Sequence, residues 1–198
     1  ANSRDDLLTG VDAAHAALSA EGGADAAEAI MTTDFVSKSC VVEGNGWSIG
    51  GMAKGAGMLA PQLATMLVVI TTDAVVPAAE LDAALRAATR VSFDRLDSDG
   101  CMSTNDTVTV MASGASGVAP AAEEFTEALT RVCTDLAMQL LKEHLCRAYG
   151  GSSGTNLVAC LELACRMREQ GQQGSIVTLL CDPGERYDQT LYCPDWLA

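Results

Sequence analysis

The alternation of apolar and polar positions divides the first half of the chain into helical and extended stretches. Apolar residues recur at helical spacing over residues 7–31, and the pair Gly22–Gly23 interrupts them. This pattern predicts two short helices, with Asp25 as a candidate cap of the second. Residues 39–51 are β-rich on both sides of a turn at residues 44–46, which predicts a hairpin.

Further along, the same reading predicts alternating strands and helices. Residues 65–73 contain the apolar run 66–70 and are typical of a buried strand, and residues 107–111 indicate another strand. Two amphipathic helices are predicted at residues 77–92 and 121–145. Their predicted buried positions are Leu81, Leu85 and Ala88 in the first, and Phe125, Leu129, Cys133, Leu136 and Leu140 in the second.

The carboxyl-terminal part differs from the rest of the chain in composition. Residues 150–155 are a Gly/Ser-rich loop by composition, followed by a predicted helix over 156–170, a buried strand over 175–180 and a turn at 181–184. The whole chain is therefore predicted to be α/β: a sheet packed with helices in residues 1–141, and a loop, helix and strand appendage in residues 142–198.

Composition and charge narrow the possible partners. Hydrophobic residues make up 48% and charged residues 19%, as in a folded globular chain, while aromatic residues at 4% are too few for nucleic-acid stacking platforms. The net charge of -14 repels phosphate backbones and anionic lipids. The longest apolar run, residues 66–70, is too short to cross a bilayer, and the first residues lack a signal-peptide core. We expect a cytoplasmic protein that binds neither nucleic acid nor membrane.

Metal and thiol chemistry are not predicted. The eight cysteines include no CxxC pair and no zinc spacing, so we expect reduced, mostly buried thiols. The polar loop with Asp97, Asp99, Asn105 and Asp106 lacks the EF-hand spacing and its terminal glutamate. Those four side chains are interpreted as turn residues.

The most informative stretch is residues 54–67, where a lysine and a flexible loop precede a threonine at the predicted start of a strand. If the bond between Ala64 and Thr65 is cut, Thr65 gains a free α-amine that can act as base for its own hydroxyl. Such a residue is an acyl-transfer nucleophile. The alternative is that Thr65 is an ordinary cap or strand-edge threonine.

Several stretches together resemble the bifunctional glutamate/ornithine N-acetyltransferase family of arginine biosynthesis (ArgJ type). They are residues 29–34, 54–67, 71–74, 93–100, 103–107 and 124–129. The resemblance covers roughly 140 of the 198 residues and implies a layered α/β fold without a cofactor. It also implies self-cleavage before the threonine, acetyl transfer from N-acetylornithine to that threonine, and then transfer to glutamate.

Carried onto this sequence, the resemblance implies a role for each of four residues. Thr65 matches the nucleophile, the bond between Ala64 and Thr65 is the cleavage point, and Lys54 and Thr32 match substrate contacts. The alternatives are a solvated surface amine for Lys54 and a helix-terminating hydroxyl for Thr32. The family's oxyanion-hole pair and its downstream glutamate have no match in this chain, and losing one oxyanion donor costs about 100- to 1000-fold in turnover. We therefore expect impaired activity.

From about residue 143 the sequence resembles the cysteine synthase family instead, through residues 150–155, 174–180 and 184–187. Pro183 stands where that family has a serine beside the pyridine nitrogen, so pyridoxal phosphate is not expected. The chain is thus predicted to be a fusion of an acetyltransferase-like part, 1–141, and a cysteine-synthase-like part, 142–198. The alternative function is a catalytically inactive chimeric chain that acts by self-association. In either case we expect a homo-oligomer.

Overall fold

The computed structural model describes residues 4–55, 65–96 and 105–179, and in residues 144–151 it describes the backbone alone. The elements in these ranges include both helices and strands, as expected of an α/β chain. They are α1 (Arg4–Ala16), α2 (Gly23–Ala29), β1 (Lys38–Glu43), β2 (Ser48–Lys54), β3 (Leu67–Thr72), α3 (Ala78–Val91), a 3-10 turn (Phe93–Arg95), β4 (Thr107–Ala112) and α4 (Ala122–Glu169).

The four strands form one sheet in the order β1-β2-β3-β4. The first three strands are antiparallel neighbours, whereas β3 and β4 run parallel and are connected through α3. Lys54 pairs with Leu67, and Leu67 pairs with Thr107. The end of β2 and the starts of β3 and β4 therefore meet, and we call this place the Lys54 end of the sheet.

The predicted hairpin is confirmed. The amide of Gly44 donates to the carbonyl of Trp47 at 2.8 Å, which closes the connection between β1 and β2. Gly46 in that connection has φ of +80°, a conformation that glycine adopts without steric cost.

One face of the sheet is covered by α3 and α4, and the core lies between them. Every predicted apolar position of residues 121–145 named above is buried in α4, as is Ala88 of α3. Trp47 and Phe125 connect the hairpin to α4, with ring centroids 5.7 Å apart. The other core residues are Ile49, Ala53, Val68, Ile70, Ala74, Ala84, Phe93, Ala128, Val132 and Ala137.

Charged residues near the ends of α3 fit the helix dipole, whereas the predicted cap of α2 is wrong. In α3, Glu80 lies in the first turn and Arg90 in the last, where their charges complement the helix dipole. The two predicted helices of residues 7–31 are present as α1 and α2. Asp25 does not cap α2: the residue before the helix is Gly22, no side chain caps it, and Asp25 lies inside the first turn.

Of the carboxyl-terminal predictions, the helix over 156–170 is confirmed to residue 169, whereas the loop before it and the strand after it are wrong in the described residues. Residues 150–155 lie inside α4, which continues to Glu169 without the predicted loop. Each glycine in this stretch lowers helix stability by about 1 kcal/mol relative to alanine, but the good helix formers on both sides outweigh that cost. Residues 175–179 form no strand, and Val177 and Leu179 are exposed. An extended segment needs a neighbouring strand to bury it, and none of the described strands lies alongside. The predicted turn at 181–184 lies outside the described residues.

Despite its 48 residues, α4 carries too many charged and polar side chains to cross a bilayer. The other helices in the described ranges are likewise not long and apolar enough to span a membrane.

Gly51→Ala is expected to lower the free energy of unfolding by about 1–3 kcal/mol, the usual cost of overpacking. A Cβ at Gly51 would lie 2.9 Å from Leu136 Cδ1 and 3.0 Å from Val132 Cγ1. Gly50→Ala is the matched control, since a Cβ there meets only Thr71 Oγ1, at 3.9 Å. Urea unfolding of both variants is the measurement. Equal effects of the two substitutions would contradict close packing between β2 and α4.

Candidate active site

A lysine and a threonine meet at the Lys54 end of the sheet. Nζ of Lys54 donates a hydrogen bond to Oγ1 of Thr32 at 3.4 Å, although the two residues are 22 positions apart. Lys54 is only 6% exposed, so the alternative of a solvated surface amine is wrong. Thr32 follows the end of α2 at Ala29 and does not terminate that helix. The structure thus brings two of the predicted site residues together.

The buried carboxylate of Asp34 organises the backbone around this pair. Its Oδ1 accepts hydrogen bonds from Nζ of Lys38 and from the amide of Gly55, both at 2.7 Å. Its Oδ2 accepts a hydrogen bond from the amide of Thr32 at 3.2 Å. Asp34 therefore contacts Thr32 itself and the residue that follows Lys54.

Lys38 and Glu143 complete a buried charge cluster with Asp34. Glu143 of α4 forms an ion pair with Lys38, and its Oε1 accepts a hydrogen bond from the amide of Phe35 at 2.6 Å. Burial alone raises the pKa of Asp34, but the hydrogen bonds from Lys38, Gly55 and Thr32 and the charge of Lys38 outweigh it. The pKa of Asp34 accordingly lies below its usual value of 3.8.

This lowered pKa predicts an acid-sensitive contribution to stability. The folded protein holds Asp34 ionised more strongly than the unfolded chain does, so the contribution is present in full above pH 3.8. It is lost as the pH falls below that value and through the lower pKa of the folded state. Urea unfolding of the wild type and of Asp34→Asn across this range is the measurement. A stability difference that stays constant down the whole range would contradict the prediction.

Thr65 lies at the same end of the sheet. It precedes β3 by two residues, because the strand begins at Leu67, which corrects the prediction that Thr65 is the first strand residue. The next residue, Met66, is held on both sides. Its amide donates to Oδ1 of Asp106 at 2.8 Å, and its carbonyl accepts from the amide of Thr107 at 3.0 Å. Ala64 lies outside the described residues, as do Asp97 and Asp99.

The sequence pattern of the ArgJ family matches residues 3–145. The chain belongs to the ArgJ family. Arginine biosynthesis bifunctional protein ArgJ of Streptomyces coelicolor is 63% identical over 139 residues, which are 70% of this chain and 36% of that protein. The protein of the same name from Thermobifida fusca is 63% identical over 137 residues, and that from Bifidobacterium longum is 56% identical over 140 residues. Each of these two matches covers 69% of this chain and 36% of the relative. The chain thus spans little more than a third of the length of these curated relatives.

The ArgJ match includes Thr32, Lys54 and Thr65, and it ends inside α4. It also includes residues that sequence reasoning missed. Asp34 and Lys38 are four positions apart, a spacing that signals an ion pair in a helix but not at the entry to a strand. Glu143 is 108 positions from its partner Phe35, and no local pattern indicates that contact. Asp106, predicted above to be a turn residue, also accepts a hydrogen bond from the amide of Met66, the residue after Thr65.

Two of the four described cysteines, Cys40 and Cys133, are not competing nucleophiles. Cys40, Cys133, Cys160 and Cys165 are free thiols, but only Cys133 is fully buried, so the expectation of mostly buried thiols fails for these four. Burial raises the pKa of Cys133 to about 12, and burial together with Asp135 raises that of Cys40 to about 11. Both thiols stay protonated and unreactive at neutral pH. Within the ranges that the structure describes, no group of three or more metal-ligating side chains comes together.

Proposed function

We propose that this chain is part of a glutamate/ornithine N-acetyltransferase of arginine biosynthesis in which Thr65 carries the acetyl group. The observation that supports this best is the hydrogen bond between the buried Lys54 and Thr32 at the sheet end where Thr65 enters β3. Thr32, Lys54 and Thr65, the three residues that the family resemblance matches to site positions, lie at or beside this one end of the sheet, which supports the proposal. The names of the ArgJ relatives refer to arginine biosynthesis and support the assignment to that pathway.

The chemistry proposed for Thr65 has two stages. In the first, its hydroxyl attacks the carbonyl of Ala64, the acyl group moves from nitrogen to oxygen, and water hydrolyses the ester. This releases the carboxylate of Ala64 and the free α-amine of Thr65. In the second, that amine takes the hydroxyl proton while the oxygen attacks the acetyl carbon of N-acetylornithine. Ornithine leaves as the amine, and glutamate then attacks the acetyl ester and restores the hydroxyl, which is ping-pong transfer.

Lys54 is proposed to hold an anionic group of the substrate. Its ammonium forms no ion pair with a carboxylate among residues 4–55, 65–96 and 105–179, and the hydroxyl of Thr32 is neutral. A buried ammonium without a counter-charge is unfavourable, and a bound carboxylate offsets that cost. N-acetylornithine and glutamate both carry an α-carboxylate, so one lysine can serve both half-reactions.

Intact-mass spectrometry before and after incubation with N-acetylornithine tests the proposal. We expect fragments of 64 and 134 residues, which together account for the 198 of the chain. The mass of one acetyl group should be added to the larger fragment and removed again by glutamate. A single uncleaved mass that never gains acetyl would overturn the enzyme proposal.

One observation favours a second candidate, a self-associating chain without catalysis. On the face of the sheet away from α3 and α4, Val41 and Met111 lie in one cross-strand row and are 66% and 50% exposed. An exposed apolar face of this kind is typical of an interaction surface. The candidate predicts a homo-oligomer that Val41→Lys and Met111→Lys dissociate, measured by sedimentation. A monomeric wild type would exclude it.

The division of the chain at residue 141/142 also stays a proposal. It is supported by the end of the ArgJ match at residue 145. The resemblance of residues 142–198 to cysteine synthase remains a prediction, and its residues 184–187 lie outside the described ranges.

A further inference from the structure

Asp34 connects three chain segments at the candidate site. Its carboxylate accepts hydrogen bonds from Thr32 in the segment after α2, from Lys38 at the start of β1, and from Gly55 at the end of β2. The side chain of Asp34 is 0% exposed. Water therefore does not compete for these bonds, and a charge-assisted bond in such surroundings is stronger than a neutral one.

Two of the three donors belong to the backbone of the candidate site itself. The amide of Thr32 belongs to the residue whose hydroxyl accepts the hydrogen bond from Lys54. The amide of Gly55 belongs to the peptide bond that begins at the carbonyl of Lys54. Both partners of the hydrogen bond between Lys54 and Thr32 are thus anchored to one carboxylate. Gly55 has φ of +143°, and a Cβ there would lie 3.3 Å from Cα of Met66, so this backbone also borders the entry to β3.

The two buried carboxylates at this end of the sheet pair with Lys38, which leaves the ammonium of Lys54 available for an anionic ligand. Lys38 forms ion pairs with both Asp34 and Glu143, whereas the described contacts of Lys54 include no carboxylate. Asp34 therefore orients Lys54 through the backbone without neutralising its ammonium. A direct ion pair between the two would instead compete with an anionic ligand.

We infer that Asp34 is a positioning residue, which sets the separation of Thr32 and Lys54 for the substrate and does not itself touch it. This inference rests on the proposed function for its consequence in catalysis. A displacement of about 1 Å at a reacting centre can cost on the order of 100-fold in rate, so loss of this anchor should be visible in kinetics.

Asp34→Asn and Glu143→Gln form a matched pair of variants for the test. Each removes one negative charge from the same buried cluster and keeps the size of the side chain. Only Asp34 contacts Thr32 and Gly55. In Asp34→Asn an amide group takes the place of one carboxylate oxygen, and it cannot accept the hydrogen bond from the Thr32 amide if the remaining oxygen serves Lys38 and Gly55.

Two readouts are measured at a temperature at which circular dichroism shows both variants folded. The first is the rate of acetyl capture by Thr65 against N-acetylornithine concentration. We expect the half-saturating concentration to rise about tenfold or more in Asp34→Asn and to stay within about twofold of wild type in Glu143→Gln. The second is amide hydrogen exchange, in which Thr32 should exchange faster in Asp34→Asn alone.

Equal kinetic losses in both variants, in proportion to their stability, would assign Asp34 to folding alone and overturn the inference. Unchanged exchange at Thr32 in Asp34→Asn would overturn it as well. A wild type that never captures acetyl would show that the proposed function has failed. The exchange measurement then decides separately whether Asp34 fixes Thr32.

Discussion

Thr65→Ala is expected to leave the chain as one uncleaved mass that gains no acetyl group. The substitution removes the hydroxyl that is proposed to attack the Ala64 carbonyl and later the acetyl carbon, so both stages lose their nucleophile. The fold should persist, because Thr65 lies outside β3 and is only partly buried. Intact-mass spectrometry with and without N-acetylornithine measures both outcomes in one experiment.

Two control variants make the result for Thr65 specific. Thr65→Ser keeps a hydroxyl and should retain cleavage at a reduced rate. Thr71→Ala removes an exposed threonine from β3, the strand that follows Thr65, and should cleave and capture acetyl as the wild type does. If Thr65→Ala is cleaved or acetylated like the wild type, another residue carries the chemistry and the proposed role of Thr65 is wrong.

Lys38→Met is expected to lower the free energy of unfolding by about 3–5 kcal/mol, the usual cost of removing one partner from a buried ion pair. The side chains of Asp34 and Glu143 are 0% and 4% exposed, so the two carboxylates would be left buried without a cation. Urea unfolding at neutral pH measures the loss. Acidification should restore part of it, because protonation removes the uncompensated charges.

Arg86→Ala is the control for this ion-pair prediction. Arg86 and Asp82 form an ion pair of similar length, 2.9 Å, on α3, but both side chains are largely exposed. Solvent screens such a pair, so its loss should leave the unfolding curve almost unchanged. Equal effects of Lys38→Met and Arg86→Ala would mean that the buried cluster contributes no more than a surface contact.

The sequence predicted the sheet and its helices because their signals are local. The hairpin follows from alternation around Gly44 to Gly46, and the face of α4 that carries Phe125 and Leu129 follows from helical periodicity. The end of α4 was mispredicted for a related reason. Glycines at 150, 151 and 154 signal a break locally, whereas the helix propensity of the flanking residues prevails over the longer stretch.

The candidate site was predictable only in part. Thr32, Lys54 and Thr65 came from resemblance, and nothing in their spacing indicates that Lys54 and Thr32 share a hydrogen bond. The charge cluster joins residues 34, 38 and 143, and its contacts depend on how α4 packs against the start of β1. Such long-range contacts are set by tertiary packing, so a single sequence carries no local signal for them.

The antiparallel pairing of β2 with β3 has a consequence for a chain cut between Ala64 and Thr65. The cut would open the connection between two hydrogen-bonded neighbours, and the six paired positions from Ile49 and Thr72 to Lys54 and Leu67 would still hold the pieces together. The product would therefore migrate as one particle until denaturant separates it. Reassembly would then be bimolecular, since the connection no longer supplies the effective concentration that keeps the strand ends close. Dilution would slow recovery of the nicked protein and leave recovery of the intact chain unaffected.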